Sequence, residues 1–441
     1  PSDLDHERID EWFEQNDGGA SALGTATGDW MMRVAIVGGG AVGFACAHAL
    51  ADEGHVVEVV DRGVPEAAAS TGNAGWMAHM DILPLASPKA WANMPRWMLD
   101  PLGPLSISPS YFPRLVPWLV RFTLASRPSR IAHGAAAIHA LNALAMPAWN
   151  RCAARSGVGG LFRNRGILSV WNRTSDFEAA AGLHARQSAL GIAVERLDAA
   201  AVRRLEPAFG PEIVGGAFYE TGLHVSDPRA VVDTLRAEAR ARGITITVGD
   251  VTRLRSKPEA VAVELSSGSV LTADRVVIAA GAWSKRLAAD VGDRVPLDTE
   301  RGYNITVAPG TLGLSRPVMY EGLGFVTTPL DIGDRIGGSV EFAGLDAAPN
   351  WRRVDAMLGR LKRALPHAKV EYGVRWMGFR PSIPDSLPVI GRASGDARVV
   401  HAFGHGHYGL TQAAATAEIV AAILGDRAAP LDPTPYAASR F

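Results

Sequence analysis

The chain has 441 residues, 44 Lys plus Arg against 45 Asp plus Glu, a formal net charge of −1, and 47% hydrophobic and 20% charged residues. At roughly 100–200 residues per domain, this length implies about two to four domains and excludes a single small module. The composition excludes wholesale disorder and a fibrous repeat, and the balanced charge removes the bulk attraction that recruits nucleic acid.

Residues 1–31 are polar, lack the basic start and apolar core of a signal peptide, and read as a tail. Met31-Met32-Arg33 then runs into an apolar strand, Val34 to Val37. Ala41 to Glu53 is predicted as a helix ended by Gly54, and His55 to Val60 as a second strand, a βαβ opening. Helical periodicity follows at 109–125, 128–155 and 174–190, with a strand at Gly166 to Trp171. The most apolar window, Tyr111 to Ala125, is broken by Pro113, Arg114, Pro117 and Arg121. It reads either as a packed amphipathic helix or as a shallow membrane or quinone-side contact. No run of roughly eighteen apolar residues predicts a transmembrane helix.

Ser226-Asp227-Pro228 places a cap and a first-turn proline before a helix through Arg242, and Ile244 to Val248 is the next strand. Val251 to Leu254, Val261 to Leu265 and Ser269 to Leu271 suggest a small antiparallel layer. Arg275 to Ala280 is a continuous apolar strand of the buried parallel type. Residues 303–345 are strand-rich, 352–365 are helical, and Ala413 to Leu424 closes the chain as a helix. Cys46 and Cys152 sit in apolar, helix-like surroundings and read as reduced core thiols, which suits a cytoplasmic protein.

Gly38-Gly39-Gly40-Ala41-Val42-Gly43 fits G-x-G-x-x-G between a strand and a helix. The first glycine permits the tight turn, the second lets a pyrophosphate approach the backbone, and the third lets helix and strand pack closely. Asp61, at the end of the second strand, is where a carboxylate can accept hydrogen bonds from ribose hydroxyls and repel a 2′-phosphate. An adenine dinucleotide is therefore expected. The glycine-dense loop Phe403 to Thr411 leads into a helix, whose N-terminal dipole suits the negative edge of a reduced flavin. His405 and His407 lie on that loop without a nearby carboxylate pair, so no metal is expected.

These motifs, together with Ser70-Thr71-Gly72-Asn73-Ala74-Gly75, Ala279-Ala280-Gly281-Ala282-Trp283-Ser284 and Gly378-Phe379-Arg380-Pro381 followed by Pro388-Val389-Ile390-Gly391, resemble the FAD-dependent D-amino-acid oxidase superfamily. The likeness covers nearly all of residues 32–441. Within it, Trp97 to Ile107, Pro296 to Tyr303 and Trp376 to Gly391 are most similar to bacterial D-amino-acid dehydrogenases and glyphosate oxidoreductase. The resemblance implies an α/β fold: a Rossmann-like FAD-binding domain (32–105, 221–290 and 372–441) and an α+β substrate domain with a mixed, mostly antiparallel sheet (106–220 and 291–371). It implies non-covalent FAD held by Gly38, Gly40, Gly43, Asp61, Arg62, Ser70, Asn73, Ala74, Gly75, Val251, Ala280, Gly281, Gly404, Gly406, His407, Tyr408, Gly409, Leu410 and Thr411.

The implied reaction is oxidation of the C–N bond of a small amino acid, a D-amino acid or an N-substituted glycine. Hydride passes to flavin N5, and the imine hydrolyses to a 2-oxo acid. Cleavage of a secondary amine to glyoxylate, hydroxy-acid oxidation and a non-catalytic electron-transfer subunit remain alternatives. The Gly-x-Arg-Pro arginine, Arg380, is expected to clamp the substrate carboxylate through its planar fork, or else to bridge two strands. Phe325 stands where related oxidases carry a substrate-contacting tyrosine, so Tyr320 or Tyr303 is left to supply the hydroxyl. His407 stands about where related oxidases carry a second arginine near the substrate, so it either contacts an acidic group of the substrate or hydrogen-bonds its own loop, and His79 is a further candidate lining the flavin face. The partners implied are an amine carrying a carboxylate and a quinone or oxygen as acceptor. Peripheral contact with the inner membrane stays open, as does the oligomeric state.

Overall fold

The computed structural model describes residues 31–64, 68–86 and 102–441. The polar tail up to residue 30 and the shared segment Trp97 to Pro101 lie outside the described residues.

Arg33–Val37 and Val56–Asp61 pair in parallel, joined by the helix Ala41–Asp52. They belong to a six-stranded sheet whose order is Thr245–Val248, Val56–Asp61, Arg33–Val37, Arg275–Ile278, Val399–Phe403, Val389–Arg392. The first five are parallel and the last runs antiparallel to its neighbour. Val34, Ile36, Val59, Val277 and Val400 are buried beneath the helices Ala41–Asp52, Pro228–Ala241 and Ala413–Leu424. Ala35, Val37, Val276 and Ile278 face the other way, onto the antiparallel layer Val251–Ser256, Val261–Leu265, Val270–Ala273. Burial on both faces explains why these strands read as continuous apolar runs rather than alternating ones. The strand order reverses at Arg33–Val37, and the crevice beyond its carboxyl end is where a doubly wound sheet binds nucleotide.

A nine-stranded, mostly antiparallel sheet forms the second body, running Val374–Ser382, Asp298–Val307, Gly333–Phe342, Phe325–Leu330, Val318–Tyr320, Ile167–Trp171, Gly215–Tyr219, Glu195–Asp198. Leu105–Ile107 joins beside Gly333–Phe342. Period-two alternation divides Asp298–Val307 between two environments. Tyr303, Ile305 and Val307 pack against Val354, Met357 and Leu361 of the helix Arg352–Ala364. Glu300, Gly302 and Asn304 face a cavity on the other side.

The expected helix over 174–190 is two helices, Thr174–Ala179 and Ala181–Ala189, meeting at Ala180. The apolar window folds as the amphipathic helix Phe112–Ala125: Leu115, Trp118 and Phe122 are buried, whereas Phe112, Val116, Val120 and Leu124 are exposed. No helix among the described residues is long and apolar enough to cross a membrane.

Candidate active site

A cavity of ≈ 640 Å³ runs from the carboxyl end of Arg33–Val37 to the face of the nine-stranded sheet. At its nucleotide end the chain leaves no room for side chains. A Cβ on Gly38 (φ +111°) would lie 2.4 Å from Ala279 O, and one on Gly43 would lie 1.8 Å from Gly38 O. Gly43 itself does not border the cavity; it brings helix and strand together. Gly40 caps the helix Ala41–Asp52 without a side-chain hydrogen bond, so most of the first-turn N–H groups keep their capacity for an anion. Ser70 Oγ accepts a hydrogen bond from Ala41 N (3.1 Å).

Asp61 accepts hydrogen bonds from Gly39 N (2.7 Å) and Gly63 N (2.8 Å), so its carboxylate fixes the glycine turn as well as bordering the cavity. Arg62 lies over the Trp283 ring, 3.6 Å from its centroid, which closes this end with a cation–π contact. Val251, Ala280 and Gly281 complete the wall.

The middle of the cavity belongs to Ser70–Ala74. Asn73 donates to Ser70 O (2.9 Å) and accepts from Gly75 N (2.7 Å), which shapes the turn. Gly75 and Thr411 do not border the cavity: Gly75 O accepts from Val225 N, and Thr411 Oγ accepts from Ala78 N (2.9 Å). Arg335, missed in the sequence, donates to Asn73 O (2.6 Å) and Thr306 Oγ (3.1 Å), and burial pushes its pKa down to about 10. Asn304 donates to Gly72 O (2.6 Å), while its Oδ1 is buried without a protein partner. That orphaned acceptor, the side-chain-free turn and the uncapped helix fit a flavin dinucleotide.

The substrate end is built by cross-strand register. Glu300 pairs with Arg380, Gly302 with Gly378 and Asn304 with Trp376. The two glycines vacate the sheet face, and their neighbours lie across the space. A Cβ on Gly302 would meet the Arg380 guanidinium at 2.3 Å, and one on Gly378 would meet the Trp376 ring at 2.0 Å. Arg380 donates to Ser339 O (3.1 Å); burial pulls its pKa below the usual value and Glu300 opposes that shift.

Glu300, which sequence reasoning passed over, accepts hydrogen bonds from Ser382 Oγ (2.5 Å) and His407 Nε2 (3.0 Å). Burial would raise its pKa, but the hydrogen bond and charge of His407, then Ser382 and Arg380, take it below the usual carboxylate range. Gly404, Gly406, His407, Tyr408, Gly409 and Leu410 all border the cavity. His405 does too, but it is buried against Thr416 (2.9 Å), and burial pushes its pKa down to about 3. Asp81, another group not foreseen, is pushed up to about 7 by burial and the nearby Glu321.

Neither tyrosine replaces the hydroxyl missing at Phe325. Tyr320 is a core residue stacked on Phe325 (4.4 Å), with its hydroxyl 3.4 Å from Thr327 Oγ, and it does not border the cavity. Tyr303 borders the cavity, yet its hydroxyl donates to Glu341 (2.5 Å) and accepts from Asn350 N (3.1 Å). His79 also lies off the cavity, with Nδ1 3.0 Å from Met77 O.

Comparison with known proteins gives the chain's family and fold relatives. The D-amino-acid oxidase of Bradyrhizobium diazoefficiens is 36% identical over 420 residues, covering 93% of this chain and 99% of that protein. A D-amino acid dehydrogenase of Chromohalobacter salexigens is 29% identical, with 93% and 100% covered. Among solved structures, glycine oxidase from Geobacillus kaustophilus superposes with a TM-score of 0.72 at 22% identity, covering 93% of this chain and 100% of that one. Iminodiacetate oxidase from Chelativorans sp. BNC1 gives 0.68 at 21%, with 92% and 98% covered. At such identity these structures show a shared fold. With its pattern matched over residues 33–423, the chain belongs to the FAD dependent oxidoreductase family, DAO.

Proposed function

We propose that the chain oxidises the C–N bond of a small amino acid, a D-amino acid or an N-substituted glycine, whose carboxylate is held by Arg380. The observation that carries this reading is the placement of Arg380: a half-buried guanidinium laid over Gly302, facing the cavity, with Ser339 O as an acceptor. A fork so placed can make two parallel charge-assisted bonds to a carboxylate and thereby fix the orientation of Cα. Trp376 and Phe325 border the same cavity with apolar rings. FAD, when bound, supplies the two-electron acceptance that the side chains lack. Holding the reacting bond in place is the protein's own contribution. Non-covalent attachment is supported by the cysteines, since neither Cys46 nor Cys152 borders the cavity.

On this reading, residues 32–105, 221–290 and 372–441 hold FAD and 106–220 and 291–371 shape the substrate end, except that Val374–Ser382 pairs with Asp298–Val307 and so carries Arg380 to the substrate end. Anaerobic mixing of the holoprotein with D-amino acids, glycine, sarcosine, iminodiacetate and glyphosate should bleach the flavin with at least one of them. Bleaching by 2-hydroxy acids alone would overturn the assignment.

The acceptor is oxygen or a quinone, and the outer face of Phe112–Ala125 supports a membrane-side acceptor. Its exposed apolar residues recur every four positions, Arg114, Arg121, Arg127 and Arg130 lie exposed on or just beyond the same helix, and no Asp or Glu occurs from residue 102 to 175. The chain as a whole is neutral, but this stretch is apolar and basic, the combination that lies in an anionic interface. The protein should co-sediment with phosphatidylglycerol vesicles and not with phosphatidylcholine ones, and Val116→Asp with Val120→Asp should abolish binding while FAD content stays unchanged.

A further inference from the structure

We propose that His407 and Glu300 form a proton-accepting pair that takes the proton from the substrate's ammonium group before its Cα–H bond breaks. This rests on the amino-acid reading above. An amino acid arrives from neutral water as a zwitterion, and a hydride cannot leave the carbon next to an ammonium nitrogen, because the nitrogen lone pair must be free to form the imine. Some group at the substrate end has to receive that proton.

The titratable side chains bordering the cavity differ sharply in their freedom to do so. Asp61 is committed to two backbone N–H groups at the nucleotide end. His405 is sealed against Thr416, and the Tyr303 hydroxyl against Glu341. Both oxygens of Glu300 are occupied, one by Ser382 and the other by His407. His407 differs: its side chain is 36% exposed, and Nδ1 has no partner among the described residues.

In the neutral imidazole, the hydrogen bond from Nε2 to the Glu300 carboxylate fixes the tautomer with its proton on Nε2 and leaves the Nδ1 lone pair free; the charged form, balanced by Glu300, arises once Nδ1 has taken a proton. In the step itself, the substrate N–H bond breaks with its electron pair staying on nitrogen, and an Nδ1–H bond forms. The imidazolium is then balanced by Glu300, which is nearly inaccessible to solvent. The exposed edge of His407 returns the proton to water.

The charged groups around the pair are Arg380 on the neighbouring strand, Asp298 two residues before Glu300, and Lys285 beside Asp298. Glu300 is a positioning residue here, and His407 the catalytic one. Asp81, hydrogen-bonded to Tyr408, is the rival acceptor in the cavity.

The test is the pH dependence of kcat/KM for an amine that bleaches the flavin, in wild type, His407→Asn, Glu300→Gln and Asp81→Asn. Binding of acetate, a carboxylate without an amine, is followed in parallel through the flavin spectrum. Wild-type kcat/KM should fall tenfold per pH unit on the acid side. His407→Asn should lose about 10²-fold at neutral pH. It should recover as pH approaches the substrate's own amine pKa, and it should bind acetate as wild type does. Glu300→Gln should move the acid limb to lower pH; if that variant loses flavin, His407→Asn carries the test. An unchanged acid limb in His407→Asn, or its loss in Asp81→Asn, overturns the proposal. If no carboxylate-bearing amine bleaches the wild-type flavin, the amino-acid reading itself fails, a result distinct from either.

Discussion

Replacing Gly43 with valine should yield a chain that purifies without flavin colour. Even the first carbon of a side chain would sit 1.8 Å from Gly38 O, inside the glycine turn that borders the cavity. Backbone lies on both sides of this contact, so no rotamer change relieves it. Either the helix Ala41–Asp52 moves off Arg33–Val37, or the turn opens. The first loses packing among Phe44, Ala45, Ile36 and Val34 in the main core, and the second removes the anion site. Overpacking of this sort costs about 1–3 kcal/mol in an ordinary core. Here the loss of FAD adds to it, because bound ligand stabilises only the folded state. The ratio of flavin to protein absorbance and the thermal midpoint read the two effects separately. Gly359→Ala is the matched control: it lies in the helix Arg352–Ala364 with nothing within 4 Å of its Cβ, and it should raise stability slightly, by up to about 1 kcal/mol.

The contrast between the two ends of the cavity explains which residues were legible beforehand. The nucleotide end is local: Gly38, Gly40, Gly43 and Asp61 fall within one βαβ unit, where spacing alone dictates geometry. The substrate end is assembled by pairing between segments some eighty residues apart, and its content depends on strand parity. A shift of one position separates Met319, which borders the cavity, from Tyr320, which stacks in the core behind it.

The same parity sends the Tyr303 hydroxyl to Glu341 and brings Glu300 under His407. Nothing in the run Asp298-Thr299-Glu300-Arg301-Gly302 distinguishes its acids by composition. The usable signal was the pairing of Gly302 with Gly378, two strand glycines that make room for long neighbours, and it becomes visible only once the register is known. The helix Phe112–Ala125 was ambiguous for a related reason. The window allowed either a packed helix or a surface contact, and tertiary packing buries Leu115, Trp118 and Phe122 while leaving Phe112, Val116, Val120 and Leu124 exposed.

Arg380→Met should leave a yellow, folded protein that has lost most of its catalytic efficiency. Methionine fills a similar volume without charge, and Glu300 keeps Ser382 and His407 as partners, so the fold is not left with an unpaired buried carboxylate. The substrate carboxylate then enters a cavity bordered by the Trp376 and Phe325 rings with no guanidinium to meet it. Losing one member of a buried charge pair costs about 2–5 kcal/mol, roughly a 30- to 4,000-fold fall in kcat/KM at 1.4 kcal/mol per factor of ten.

Arg380→Lys tests geometry against charge. An ammonium supplies the charge but not the planar fork, so binding should recover in part while the turnover of bound substrate stays low. Gly302→Ala tests position alone. Its Cβ would lie 2.3 Å from the guanidinium, a flexible side-chain end that can swing aside, so the protein should fold and bind FAD normally. The displaced fork should raise KM for carboxylate-bearing amines and lower kcat together, because a misplaced anchor misaligns the reacting Cα–H. Steady-state kinetics on all three variants, alongside their flavin content, separate these outcomes. If Arg380→Met kept wild-type kcat/KM, the guanidinium would be the strand-bridging arginine that the sequence also allowed, and the carboxylate would have to be held elsewhere in the cavity.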